Sequence, residues 1–458
     1  MSDLPAGWLP AQLSELLFGI EAGLNVKCEE RPPADGEKGL VKISAVTWGK
    51  FDELQSKTLP VDAEPDERNR ISAGDLLISR ANTIELVGAS VIVGPISREL
   101  YLSDKVLRLC VHEPSKRWIN YALKTPAIRK SIEEASSGNQ LSMRNISQEK
   151  LKCLSFPLAP EAEQTRIADK LDTVLARVDA VNARLERVAP LLKRFRQAVL
   201  AAATSGRLTG EWRQSRQVHP TWTRSTLGAV AIDLRYGTSQ KCSVIPSGVA
   251  VLRIPNVGNH GFPDLSDLKY ADFEEVEKDK LSLQMGDILI IRSNGSVDLV
   301  GKCCVVDKPA EGLLFAGYLI RLRLDLSMIN PYFAFISISS PATRRSIDKT
   351  ARSTSGVNNI NSDEVRALKI DLPDLAEQAE IVRRVELLFG YADRLEARLK
   401  AAQTAAGRLT PALLAKAFRG ELVPQDPNDE PASELLRRLA ESRAAAPERK
   451  TRGRRAAA

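Results

Sequence analysis

The chain has 458 residues, enough for two to four domains at about 100–200 residues each, and its 43% hydrophobic content allows a sizeable buried core. Lys and Arg outnumber Asp and Glu by 65 to 58, a net charge of +7 that points towards a polyanionic partner. Three histidines and six scattered cysteines without a CxxC pair exclude a His-rich or zinc-type cluster, and no run of 18 apolar residues offers a membrane span.

The opening, MSDLPAGWLP, has no basic region followed by an apolar one. With its unpaired cysteines this fits a reducing cytosol and a cytoplasmic chain. Residues 39–44, 74–79, 88–93 and 106–111 are short β-type runs broken by Gly, Pro, Asn and Asp turns. The run from Gly74-Asp75 reads as a turn, a buried strand (Leu76-Leu77-Ile78-Ser79) and an exit, Arg80-Ala81-Asn82. A helix is expected near 118–135. These elements make a compact α+β domain.

One long helix follows. Ile167, Leu171, Val174, Val178, Val181, Leu185, Val188, Leu192, Phe195 and Val199 step by alternating fours and threes. Such a 3.5-residue rhythm over several heptads is a coiled-coil seam. Pro190 lies off the seam and predicts a kink or break, and Thr204-Ser205-Gly206 marks the end.

The chain then repeats itself. Gly286-Asp287-Ile288-Leu289-Ile290-Ile291-Arg292-Ser293-Asn294 matches the stretch from Gly74 at an offset of 212. Val300-Gly301 matches Val87-Gly88, and Ser340-Pro341-Ala342-Thr343-Arg344 matches Thr125-Pro126-Ala127-Ile128-Arg129. Asn359-Ile360 matches Asn145-Ile146; Glu377-Gln378 and Gly420 match Glu163-Gln164 and Gly206 at an offset of 214. A second helix is expected over 331–350, and a second seam runs through Ile381, Val385, Leu388, Ala392, Leu395, Leu399, Ala402, Ala406, Leu409 and Leu413, with Pro411 off it. Small loop insertions explain the drift in offset, and chance does not keep eight blocks in order.

The simplest packing pairs the two seams as an antiparallel coiled coil related by a pseudo-two-fold axis. About 40 residues at 1.5 Å each span roughly 60 Å. Two similar heads on such a rod suit a bipartite linear target, since B-DNA repeats about every 34 Å. From geometry alone a scaffold with two protein-binding heads stands equally open.

Catalytic patterns are missing: GxxxxGK[ST], GxGxxG, HExxH and GxSxG do not occur. Asn330-Pro331-Tyr332-Phe333 approaches a base-amino methyltransferase motif but lacks the second proline, and reads as a helix start. A binding subunit is favoured over an enzyme, including an autonomous methyltransferase.

These motifs resemble the specificity subunits of type I restriction–modification systems over about residues 5 to 440. The resemblance rests on the openings Leu4-Pro5-Ala6-Gly7-Trp8 and Pro220-Thr221-Trp222, and on the early turn Tyr236-Gly237-Thr238-Ser239-Gln240-Lys241. It rests further on Pro160-Glu161-Ala162-Glu163-Gln164, Leu375-Ala376-Glu377-Gln378 and, most specifically, the stretch from Ala417 to Ser433. It implies an α+β chain of two tandem-duplicated target recognition domains separated by two spacer helices. The implied boundaries are 1–160 and 210–374 for the recognition domains, 161–209 and 375–422 for the spacers, 423–442 for a C-terminal conserved segment and 443–458 for a basic disordered tail. Each recognition domain would read one half of an asymmetric double-stranded DNA target. Two modification (methyltransferase) subunits would dock and flip out an adenine in each half-site; two restriction (translocase–endonuclease) subunits would join them. This chain would hold no cofactor, with S-adenosylmethionine, ATP and Mg on the partners.

DNA contact needs cations for phosphates and forked donors for base edges. Arg80 with Asn82 and Arg292 with Asn294 combine both chemistries at equivalent strand exits. Arg144 with Asn145, and Asn358 with Asn359, lie in equivalent polar loops, and Lys27 and Lys241 follow the early glycine turn. Because the heads should read different sequences, unmatched loops, 140–143 and 257–261, are rival readers. Five basic residues and one acid fall between 447 and 458, so the tail carries +4 of the charge and the rest only +3.

Overall fold

A computed structural model describes residues 4–47, 49–140, 143–217, 222–258, 261–351 and 358–445. The chain forms two compact units. One is built from the chain up to Arg184 and from Ala402 onward; the other is Leu185–Ala401.

In the first unit a four-stranded antiparallel sheet has the order Leu17–Ala22, Val106–Val111, Leu76–Ser79, Ser90–Ile92. The strand Leu76–Ser79 is apolar at nearly every position because both faces are covered. Leu76 and Ile78 enter one core, with Trp118, Leu107 and Ile132, while Leu77 enters another, with Val91 and Val106. Asp75 closes the preceding turn by accepting the Ser72 amide at 2.8 Å and pairs with Arg108 at 2.8 Å. Beside it a three-stranded sheet orders Ser56–Thr58, Gly39–Val41, Leu100–Tyr101, the last pair parallel.

The second unit has the same two strand orders. Its larger sheet runs Ala231–Tyr236, Leu319–Leu324, Ile288–Ile291, Cys303–Val305, and its smaller one Lys269–Ala271, Val249–Leu252, Leu314–Phe315. Ile288 and Ile290 face one core, Leu289 and Ile291 the other. Asp287 accepts the Gln284 amide and pairs with Arg323 at 2.7 Å.

Each helical stretch expected near 118–135 and 331–350 is two helices. Lys116–Ala122 and Pro126–Ala135 part at Thr125, and Pro331–Ser339 and Pro341–Thr350 part at Ser340. The cause is the proline: it disfavours helical backbone in the residue before it, and that residue's hydroxyl then caps the next helix. Asn330, from the methyltransferase-like tetrapeptide, is likewise an N-cap, its Oδ1 accepting the Tyr332 amide at 2.9 Å.

The first long helix is Glu161–Glu186 followed by Val188–Thr204, with the break at Arg187. Pro190 causes it by denying Glu186 its hydrogen bond. The second, Leu375–Ala417, continues through Pro411. The helices end on Gly206 and Gly420, both at φ 72°, the left-handed conformation glycine adopts without strain.

Within the first unit Ile167, Ala168 and Leu171 share a core with Leu414, Ala417 and Phe418. Within the second, Val199 and Leu200 share a core with Ile381, Val382 and Val385, and Leu192 packs with Ala392 and Leu399. Of the seam residues, Val181 and Leu409 stay 45% and 46% exposed. The helix Ala432–Ala445 buries Ala432, Leu435 and Leu439 in the first unit's core. It runs three residues into the span expected to be tail; 446–458 lie outside the described residues.

Candidate nucleic-acid interface

In both units the chain leaves the central sheet strand through Arg-x-Asn and immediately pairs with a second short strand. Ala81–Asn82 pairs with Met143–Asn145, setting Arg144 opposite Asn82 and Asn145 opposite Ala81. Ser293–Asn294 pairs with Asn358–Asn359, setting Asn359 opposite Ser293 and Asn358 opposite Asn294. The four candidates of each unit, more than 60 residues apart in sequence, thus form one polar platform. Backbone bonds fix it identically: Ile146 donates to the Arg80 carbonyl at 3.0 Å, and Ile360 to that of Arg292 at 2.9 Å.

The side chains are held differently. Arg292 lies 4.4 Å from the centroid of the Tyr236 ring, and its Nε donates to Asn359 Oδ1 at 3.3 Å. Ala22 stands where the 214 offset places Tyr236, and the Arg80 guanidinium has no hydrogen bond or ion pair among the described residues. Asn82 and Asn294 each spend Oδ1 on a nearby amide, of Thr83 at 2.9 Å and Ser296 at 2.8 Å. Their Nδ2 amides have no partner among the described residues. Asn145 and Asn359 are exposed, as are Lys27 and Lys241.

Arg144 and Asn358 each spend side-chain donors within the chain. The Arg144 guanidinium donates to the Ser136 hydroxyl at 3.1 Å and the Ser136 carbonyl at 2.8 Å. It closes the end of Pro126–Ala135, where helix carbonyls lack internal partners. Asn358 Nδ2 donates to the Gly295 carbonyl at 3.1 Å. The rival loops 140–143 and 257–261 lie partly outside the described residues.

In the first unit Asn82 also lines an open cleft of about 470 Å³ with Asn25, Lys42, Lys57 and Lys105. Lys42 and Lys57 share Glu30 at 3.3 and 2.5 Å. These cations hold that carboxylate below its usual range, with the Lys57 hydrogen bond the largest cause. None of the four was singled out in the sequence: they come from separate turns and strands, and only sheet pairing gathers them.

Each head is bolted to its helix by an indole–carboxylate bond. Trp8 Nε1 donates to Glu163 at 2.8 Å, and Trp222 Nε1 to Glu377 at 3.0 Å. Glu377 also accepts from Thr209 at 2.6 Å and pairs with Arg213. Glu163 is 1% exposed, and its Oε1 has no partner. Burial pushes its carboxyl pKa up, partly offset by the Trp8 bond.

Among the described residues no group of three or more His, Cys, Asp or Glu is placed to hold a metal ion, and no helix is long and apolar enough to cross a membrane. No family model matches the chain. Two solved chains share its fold. One, from a structure of a type I R-M system, has a TM-score of 0.64 at 18% identity, covering 92% of this chain and 100% of that one. The other, the HsdS subunit of Thermoanaerobacter tengcongensis, has a TM-score of 0.53 at 20% identity, covering 92% and 98%. The sequence is 34% identical to the EcoKI specificity subunit of Escherichia coli K12, over 96% of this chain and 97% of that one. It is 33% identical to the StySPI specificity subunit of Salmonella potsdam, over 98% of both. With 96–98% of its length aligned at 33–34% identity, the chain belongs to the family of type I restriction enzyme specificity subunits.

Proposed function

We propose that this specificity subunit chooses the DNA sequence on which a type I restriction–modification complex acts and does no chemistry itself. Each recognition domain, 1–160 and 210–374, reads one half of an asymmetric bipartite target. The spacer helices, 161–209 and 375–422, form an antiparallel coiled coil that sets the gap and docks two methyltransferase subunits, with two translocase–endonuclease subunits joining. S-adenosylmethionine, ATP and Mg belong to those partners, and the complex works in the cytoplasm. The packing of Ile167 and Leu171 with Leu414 and Ala417, and of Val199 and Leu200 with Ile381 and Val385, supports opposite helix directions.

The observation that carries the DNA reading is the recurrence of one platform: an Arg-x-Asn strand exit paired with an Asn-bearing strand, in both units. Arg80, Arg292, Lys27 and Lys241 supply phosphate contacts, and Asn82, Asn294, Asn145 and Asn359 supply amide donors and acceptors at the groove. Arg144 and Asn358 shape the platform from behind. The test co-expresses Arg80→Ala, Arg292→Ala and the double variant with the modification subunits and maps methylated adenines genome-wide. Modification at cognate sites is expected to fall about tenfold for each single variant, from one lost charged contact of roughly 1–3 kcal/mol. Unchanged modification in the double variant refutes the platform. A scaffold without DNA specificity gives no sequence-dependent methylation even with the unaltered chain.

A further inference from the structure

We infer that Lys105 and Tyr318 make the two heads read different bases. The inference rests on the reading of the heads as DNA readers with unlike half-sites. A side chain common to both heads at an equivalent backbone position cannot by itself distinguish one half-site from the other. Arg80/Arg292, Asn82/Asn294 and Lys27/Lys241 are common, so they do not account for the difference between the half-sites.

Strand register finds the positions that differ. Arg80 donates its backbone N–H to the Lys105 carbonyl at 2.8 Å, and Arg292 donates its own to the Tyr318 carbonyl at 2.8 Å. Lys105 and Tyr318 each immediately precede the sheet strand beside that exit, Val106–Val111 and Leu319–Leu324. They are therefore the same place in the two folds, at the offset of 213 that also relates Val87-Gly88 to Val300-Gly301. Another unlike pair on the platform, Arg144 and Asn358, is committed to intramolecular bonds.

Both side chains are free to act. Lys105 is exposed, lines the cleft with Asn82 and has no partner among the described residues. Tyr318 is 62% exposed and its hydroxyl has no partner among the described residues. Their chemistries part as base readers must. An ammonium only donates, which suits the O6 and N7 acceptors of guanine. A phenol offers a ring face for a thymine methyl and a hydroxyl that donates or accepts.

The experiment uses the full chain with its modification subunits, as unaltered protein, Lys105→Ala, Tyr318→Ala and the double variant, and reads the methylated motif by single-molecule sequencing. Lys105→Ala is expected to relax one guanine position in one half-site, with modification of sites bearing other bases there rising roughly tenfold relative to the cognate site. Tyr318→Ala is expected to relax one position in the other half-site only, and the double variant both. An unchanged motif, or an even loss of methylation at all sites, overturns the assignment. If the unaltered chain itself directs no sequence-dependent methylation, the reading of the heads falls first and takes this assignment with it.

Discussion

Replacing Glu377 and Glu163 by Gln, one at a time, tests what fastens each head to its helix. Glu377 is 2% exposed and Arg213 has a side-chain exposure of 14%, so Glu377→Gln strands a guanidinium in a poorly solvated place. Removing one partner of a buried ion pair costs roughly 3–5 kcal/mol. For a unit of about 200 residues, each kcal/mol moves Tm by about 2–4 °C, so a fall on the order of 6–12 °C is expected at the lower figure. Glu163 has no such cation: among the described residues its side chain has one hydrogen bond, from Trp8, which a Gln carbonyl also accepts, and its Oε1 is unpartnered. Its raised pKa means the folded state holds a proton that the unfolded chain gives up sooner. Stability from this group is therefore present at low pH and lost as pH rises through the folded pKa. Glu163→Gln removes that loss, so its Tm relative to the unaltered chain should be unchanged near pH 4 and equal or higher near pH 8. Calorimetric scans of the full chain at both pH values decide it. Equal falls in Tm for the two variants at pH 8 refute the reasoning.

Two further outcomes follow from particular side chains. Arg144→Ala should lower the Tm by a few degrees, from lost charged hydrogen bonds to Ser136 worth about 1–3 kcal/mol, while the methylated motif stays the same; a changed motif would return Arg144 to the DNA surface. A four-residue insertion after Ala180 lengthens one spacer helix by about 6 Å and should alter the unspecified gap between half-sites, mapped by methylome sequencing. An unchanged gap ends the idea of the helices as a ruler.

The duplication was legible because turns and strand exits carry short fixed chemistry. Gly-Asp closes a turn with a carboxylate, and Arg-x-Asn recurs at the same exit. The seams were legible from their spacing. Local chemistry decided the rest. Thr125 and Ser340 read as interior helix residues until the prolines after them turn their hydroxyls into caps. Arg144 looks like any loop arginine until the end of Pro126–Ala135 arrives beside it. The cleft of Lys42, Lys57 and Lys105 has no sequence signal, since its members share no element. Lys105 and Tyr318 stand at the same 213 offset as Val87-Gly88 and Val300-Gly301, but two unlike residues make no match in sequence, and the strand register and the amide of the neighbouring arginine reveal their equivalence.

The order in which the chain leaves the ribosome bears on how it folds. The first head's core needs Leu414, Ala417, Phe418, Leu435 and Leu439, and Trp118 stacks 4.2 Å from Phe418. The second unit needs only the contiguous stretch Leu185–Ala401. The half synthesised first must therefore wait, with Trp118 and Leu171 uncovered, until the stretch from Leu414 to Leu439 emerges, while the half synthesised second can close as soon as it is made. Translation that stalls after Ala401 leaves a chain with one finished head and one apolar face in search of cover.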